Sequence, residues 1–268
     1  MFLTKNFCYL ELHRTGSIHI SQILQKIFLD GKQIGFHNRA KEELYNSNFF
    51  FLGSIRNPWD WYVSMWSKAC QKQGIHYTRT ASRRFFFTNI GLKTKPLLAP
   101  FIFLNQINKP LKLWREVYSD PKNKKNFKTW LNLILKDRIY DDGSGYAFSS
   151  IKNFSGQLTY RYLALYTSES NKLFDDSIKN FEEMKYFDNK KNVLKFIIKK
   201  EELEKNLITF IDLKNINLSE DKKKFIESEP KSNTSERLFN YKNYYDSDSA
   251  ELVSQKEKLI IEKYNYKF

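Results

Sequence analysis

Two short stretches combine cations, hydroxyls and tight-turn residues in the pattern an anion site requires. The first is His13-Arg14-Thr15-Gly16-Ser17-Ile18-His19. Gly16 lets the backbone turn closely against a charged group. The amides entering a following helix then point outward, and the helix dipole adds partial positive charge. Arg14 stands where it reaches the same anion. The second stretch runs from Arg56-Asn57-Pro58 to Ser64. Arg56 leaves the apolar run of residues 50–55, and Ser64 falls two helical turns further on, so the two can grip one phosphate from two sides. An ordinary strand-to-helix turn with a surface arginine accounts for the first stretch equally well. Packed tryptophans are the plain account of the second, but packing does not explain an Arg-Asn-Pro corner at a strand's end. No GxxxxGK[ST] occurs, which argues against an ATP-hydrolysing P-loop.

These residues need elements to hold them. Residues 6–12 read as a short buried strand. Residues 15–29 carry Ile18, Ile20, Ile23, Leu24, Ile27 and Phe28 at helical spacing, closed by Asp30-Gly31. Residues 49–55 form a second apolar strand, and 58–70 a second helix with Pro58 in its first turn. Trp59 and Trp61 do not share a helix face, so one of them is expected to line a pocket or a cover. Residues 74–122 read as irregular, an insert long enough to be a functional lobe or lid. Helices are expected at 127–136, 157–165, 200–211 and 219–228, with a turn at 141–145 and a strand at 193–198. A polar loop at 231–240 precedes one closing helix, 246–264, with Leu252, Leu259 and Ile260 facing inward. Strands alternating with helices imply an α/β fold with a parallel sheet covered on both faces, in a single domain of residues 1–268 with an insert lobe at about 74–122.

The formal charge of +15 and a pI near 9.5 favour an anionic partner without choosing one. The lysines often neighbour asparagine and isoleucine, which fits a solvated basic surface better than a nucleic-acid stripe. Cys8 and Cys70 lie in no CxxC or Cys/His cluster, so no zinc site is indicated. Both read as buried thiols of a reducing compartment. The amino-terminal residues lack the basic and apolar regions of a signal peptide, and no apolar run reaches the ~18–20 residues of a membrane span. The expectation is a soluble, cytoplasmic, nucleotide-handling transferase.

The two stretches together resemble the PAPS-dependent sulfotransferases. In that family a first-strand loop of the type P-K/R-T-G-S/G-T binds the 5′-phosphosulfate, and a later R-N-P…S segment binds the 3′-phosphate. Here they read HRTGSIH and RNPWDWYVS, with the family's eight-residue step from Arg56 to Ser64. Asn243-Tyr244-Tyr245-Asp246, Val253 and Tyr264-Asn265-Tyr266-Lys267-Phe268 are similar to the ending of many bacterial members. Lys231-Ser232-Asn233-Thr234-Ser235 is similar to the polar loop that closes over the nucleotide. Arginine stands at 14 where lysine is common, Ile18 where a hydroxyl is expected, and His13 where the family has proline.

The resemblance implies a three-layer P-loop NTPase-like fold and transfer of a sulfuryl group from PAPS, leaving PAP, to a hydroxyl or amine, with no metal. The acceptor would be a small molecule or a glycan, with no nucleic acid bound; the oligomeric state is not indicated. Arg14 would stabilise the leaving oxygens, and Thr15, Gly16, Ser17, Ile18 and His19 would cradle the 5′ end. Arg56 and Ser64 would clamp the 3′-phosphate, with Asn233 and Ser235 closing over it. His37 is the favoured base, since a residue there can reach the sheet's carboxyl edge; a helix-capping or solvated loop histidine is nearly as good an account. His13, His19 and the expectedly exposed His76 are the other imidazoles, with Glu11 or Asp60 as fallback carboxylates. The Arg79, Arg83 and Arg84 group could receive an acidic or sugar acceptor, although a solvated basic face is the better account of any one of them. The alternative from another class is a non-catalytic basic protein that binds nucleotides or nucleic acid and uses its aromatics as stacking platforms.

Overall fold

The computed structural model describes residues 1–47, 49–85, 96–136, 144–216, 219–228, 237 and 240–268. Strand β1 (Phe2–Leu3) and β2 (Phe7–Leu10) precede α1 (Ser17–Ile27), β3 (Lys32–Gln33), α2 (Glu42–Tyr45) and β4 (Phe50–Ile55). Then come α3 (Pro58–Cys70), α4 (Gly74–Thr80), α5 (Ala99–Ile107), α6 (Leu111–Val117), α7 (Lys124–Leu135), α8 (Gln157–Tyr166) and α9 (Phe181–Lys191). Strand β5 (Leu194–Lys199) is followed by α10 (Leu203–Leu213), α11 (Glu220–Ser228), α12 (Ser247–Lys256) and α13 (Lys258–Tyr264). The fold is α/β. Contacts divide it into two compact units.

The first unit comprises Met1–Asn57, Leu165–Ser170 and Lys190–Thr234 and holds the whole sheet, in the order β3-β1-β2-β4-β5. Strands β2, β4 and β5 are parallel, whereas β1 pairs antiparallel with both β2 and β3. The expected parallel sheet is therefore a mixed one. The cause is local: only residues 4–6 separate β1 from β2, and a link that short can join only antiparallel neighbours. Thr4 closes it, its hydroxyl accepting from Asn6 N and Phe7 N and donating to the Phe7 carbonyl.

Side chains alternate across β4 as the pleat requires. Phe50 faces Phe210 of α10 at 5.9 Å, while Phe51 faces the other way and stacks on Tyr45 at 5.2 Å. The first face carries the unit's core, with Phe7 and Tyr9 packed among Ile20, Ile23, Leu24, Leu207, Phe210 and Ile226. Gly53 admits a close approach on the opposite face. A Cβ there would lie 2.9 Å from the Tyr166 ring and 2.8 Å from Leu194.

The second unit, Pro58–Ala164, Asn171–Asn189 and Ser235–Phe268, contains helices and no strand among the described residues. Pro58 opens α3, where its missing N–H would have had no partner in any case. Both Trp59 and Trp61 are buried, so neither is a cover: α3 buries nearly its full circumference, and the Trp59 indole donates to the Ala250 carbonyl at 2.9 Å. The expected irregular insert is largely helical where described, as α4, α5 and α6. Three of its four prolines stand at or beside helix starts (Pro96, Pro100, Pro110) and Pro121 lies in a turn, so they punctuate without preventing helices. The closing helix is two helices, broken at Glu257. Leu259 and Ile260 are buried as expected, but Val253 rather than the half-buried Leu252 is the inward residue of α12. His76 is buried, 3.4 Å from Arg161 Nη2, and not solvent-facing. Cys8 is buried, its thiol pushed up to about 12 by desolvation, whereas Cys70 is only partly buried.

Candidate functional site

Strands β2 and β4 run parallel with Leu10 opposite Gly53, so the segments that follow them leave the same edge of the sheet. Beyond β2 the chain passes through Glu11, Leu12 and His13 into two left-handed residues, Arg14 (φ 64°) and Gly16 (φ 82°). Gly16 is the N-cap of α1, contributes no side-chain cap, and no acidic residue lies in the first turn. Between them Thr15 is fully buried. Its hydroxyl donates to the Leu12 carbonyl at 2.8 Å and lies 2.6 Å from Ser54 Oγ, which lies 2.8 Å from the Tyr9 hydroxyl. With one proton per hydroxyl, the order of donation runs Tyr9 to Ser54 to Thr15 to Leu12. Tyr166 completes the brace, accepting from Ser54 N at 2.9 Å and donating to Ser54 O at 2.8 Å. Burial holds the Tyr9 phenol far above its usual range, so it stays neutral. Thr15 thus fixes the loop to β4 through its side chain.

Arg56, at the end of β4, is 5 % exposed, and its Nη1 donates to the Arg14 carbonyl at 3.1 Å. The Arg56 side chain and the backbone of Arg14 therefore meet at one edge. Next to it, Asn57 N donates to Glu201 Oε1 at 2.7 Å, which ties the corner to the residues that follow β5. Lys200 belongs to the same place: its Cγ lies 3.7 Å from where a Gly16 Cβ would project. All three parallel strands therefore deliver their following residues to this edge: the cationic Arg14, Arg56 and Lys200, and the acidic Glu201. Lys200 was missed in the sequence because it sits in a lysine-rich run; its position directly after an apolar strand was the available signal.

His37 adopts a left-handed backbone (φ 55°), its Nδ1 lies 3.0 Å from the Glu11 carbonyl, and its ring stacks on His13 at 3.8 Å. A carbonyl can only accept, so Nδ1 carries the proton and Nε2 is the basic nitrogen. Glu11 is no base: its carboxylate is fully buried, ion-paired with the Met1 ammonium at 2.8 Å, and accepts from Ser21 Oγ at 2.6 Å and from Gln33. Ser21 is thereby engaged, whereas Ser17 lies buried at the start of α1, with Ile18 half-buried and His19 buried beyond it.

Ser64 is in the second unit, buried on α3. Asp60, the other fallback carboxylate, is in that unit too and is ion-paired with Arg237. Asn233 and Ser235 lie outside the described residues. Arg83 and Arg84 are exposed and Arg79 half-buried. Comparison with protein-family models, with curated proteins and with solved structures returns no match.

Proposed function

We propose that the chain is a PAPS-dependent sulfotransferase of P-loop NTPase-like fold, with its phosphate-binding groups at the carboxyl edge of β2, β4 and β5. One observation carries the reading: the Arg56 guanidinium bonds to the carbonyl of Arg14, between two left-handed turns at an uncapped helix start. An anion there meets the first amides of α1, the helix dipole and three cationic side chains.

The acceptor oxygen or nitrogen attacks sulfur in line with the bridging oxygen. A bond to sulfur forms, the sulfur–bridging oxygen bond breaks, and its electron pair leaves on the phosphate of PAP. The acceptor's proton passes to Nε2 of His37, the nitrogen that the Glu11 carbonyl leaves basic. Arg14 remains charged at any working pH, so it stabilises the leaving phosphate without exchanging a proton. The small-molecule or glycan acceptor is to be found by transfer of labelled sulfate from PAPS to a panel of sugars, phenols and alcohols. PAP should raise the melting temperature of the protein, and His37→Ala should lower turnover by roughly 10²–10⁴-fold while keeping that PAP-induced rise. A melting temperature indifferent to saturating PAP removes the proposal.

A further inference from the structure

The described side chains of helix α5 reverse the usual order of a surface helix. Phe103, Leu104 and Ile107 share one face and are 50 %, 51 % and 52 % exposed, while the polar Gln106 is buried. A surface helix ordinarily does the reverse. Just before it, Leu97 is 89 % exposed. The apolar face continues onto a second chain segment: the Phe85 ring, itself half exposed, stacks on Phe103 at 6.1 Å, and Lys109 Nζ donates to the Arg84 carbonyl at 2.6 Å. Arg83 and Arg84, with Lys109 bonded beside them and the exposed Lys112 following in the chain, thus accompany the exposed Phe85, Leu97, Phe103, Leu104 and Ile107. Contiguous exposed apolar surface with a polar rim marks an interaction site.

The surrounding sequence states the sign of the partner. From residue 61 to residue 115 there are ten Lys or Arg residues and not one Asp or Glu. Two thirds of the net charge of +15 is therefore concentrated in about a fifth of the chain. A second copy of so basic a chain would bring like charges together. Nucleic acid matches the charge but has no use for the aliphatic Leu97, Leu104 and Ile107, which neither stack on bases nor donate hydrogen bonds. A bilayer surface of anionic lipids answers both features, with acyl chains beneath for the apolar side chains and headgroup charge above for the arginines and lysines.

We propose that α5 and the residues around it dock the protein onto anionic membrane surfaces, lying in the interface. The assignment is independent of the transferase reading, since binding to lipid needs no cofactor. The test is co-sedimentation with vesicles of phosphatidylcholine, with and without phosphatidylglycerol, over a salt series. The protein should pellet with the anionic vesicles, and less so with the neutral ones or as salt rises. Arg83→Gln with Arg84→Gln should cut anionic partition by roughly thirtyfold, and Leu104→Asp with Ile107→Asp should abolish it at every salt concentration. All four positions are exposed, so circular dichroism and melting temperature should not change. Three results overturn the proposal: no binding to anionic vesicles at low salt, aspartate variants that bind like the parent, or a dimer in light scattering that Leu104→Asp dissolves. Binding of a single-stranded oligonucleotide that survives the aspartate changes, in a protein that ignores vesicles, reassigns the patch to nucleic acid.

Discussion

Two helix starts in this molecule solve the same electrostatic problem in opposite ways. The first amides of any helix lack intrahelical partners and carry partial positive charge. At α8 the molecule supplies its own anion. Glu257, about a hundred residues away in sequence, places one carboxylate oxygen 3.1 Å from Leu158 N and the other 2.8 Å from Thr159 N, and it also accepts from the Tyr62 and Thr159 hydroxyls. At α1 there is no side-chain cap and no acidic residue in the first turn, and Arg14, Arg56 and Lys200 stand at the same edge, with the Glu201 carboxylate held by Asn57 N beside them. The nearest buried carboxylate, Glu11, is committed to the Met1 ammonium and to Ser21. The α8 start is complete as structure, whereas on the proposed reading the α1 start is completed by an external anion.

The contrast is broken most forcefully at Glu257. Replacing it by alanine strands two amides and two hydroxyls in a fully buried place, so Glu257→Ala should lose about 3–5 kcal/mol of stability in urea unfolding. A loss under about 1 kcal/mol would mean that water reaches those donors and that α8 is not capped from within. At the other helix, Arg56→Ala should weaken PAP binding by about 2 kcal/mol by calorimetry. Glu257→Gln should leave that affinity unchanged, because its carboxylate serves the α8 start and Tyr62. Equal losses in the two variants would erase the distinction.

The next effect is a pH dependence. Desolvation raises the Glu257 carboxyl from 4.5 to about 6, despite the four hydrogen bonds that oppose the shift. A raised native value means that the folded state holds the proton more tightly than the unfolded one. The resulting stabilisation is complete below pH 4.5 and fades as pH rises through 6. Its size is about 2 kcal/mol. Glu257→Gln, less stable at the outset because its amide faces two donors, should lack that decline. The stability gap between the two proteins should therefore narrow by about 2 kcal/mol between pH 4.5 and pH 7. Parallel curves would show that another group titrates there.

The same contrast marks what was legible in the sequence. The Arg14 and Gly16 loop, the Arg56 corner and the strands feeding them are contiguous residues with apolar runs before them, and contiguity is what pattern reading detects. Glu257 is read as one more polar position of an uninterrupted closing helix, because its partners at 62, 158 and 159 are brought to it only by folding. Strands β1 and β3 have two residues each, too few to show a period of two. Helix α9 buries only Met184, Phe187 and Asp188 in a run dominated by charge, so its apolar spacing is drowned. In the insert, prolines at helix starts imitate a coil.

The smallest effect tests whether the α1 start is shaped for a ligand or merely tolerated. Gly16 is left-handed at φ 82°, and a Cβ there would meet Leu203 Cδ1 at 3.0 Å and the stem of Lys200 at 3.7 Å. An alanine in that conformation costs about 1–2 kcal/mol; the Leu203 methyl must give by a few tenths of an ångström, while the Lys200 stem stays at ordinary contact distance. Gly16→Ala should therefore fold with a modestly lowered melting temperature. The shifted loop amides should weaken PAP binding at least as much as they weaken the fold. If stability falls while PAP affinity stays intact, the turn serves only to start the helix, and α1 differs from α8 in means of capping but not in purpose.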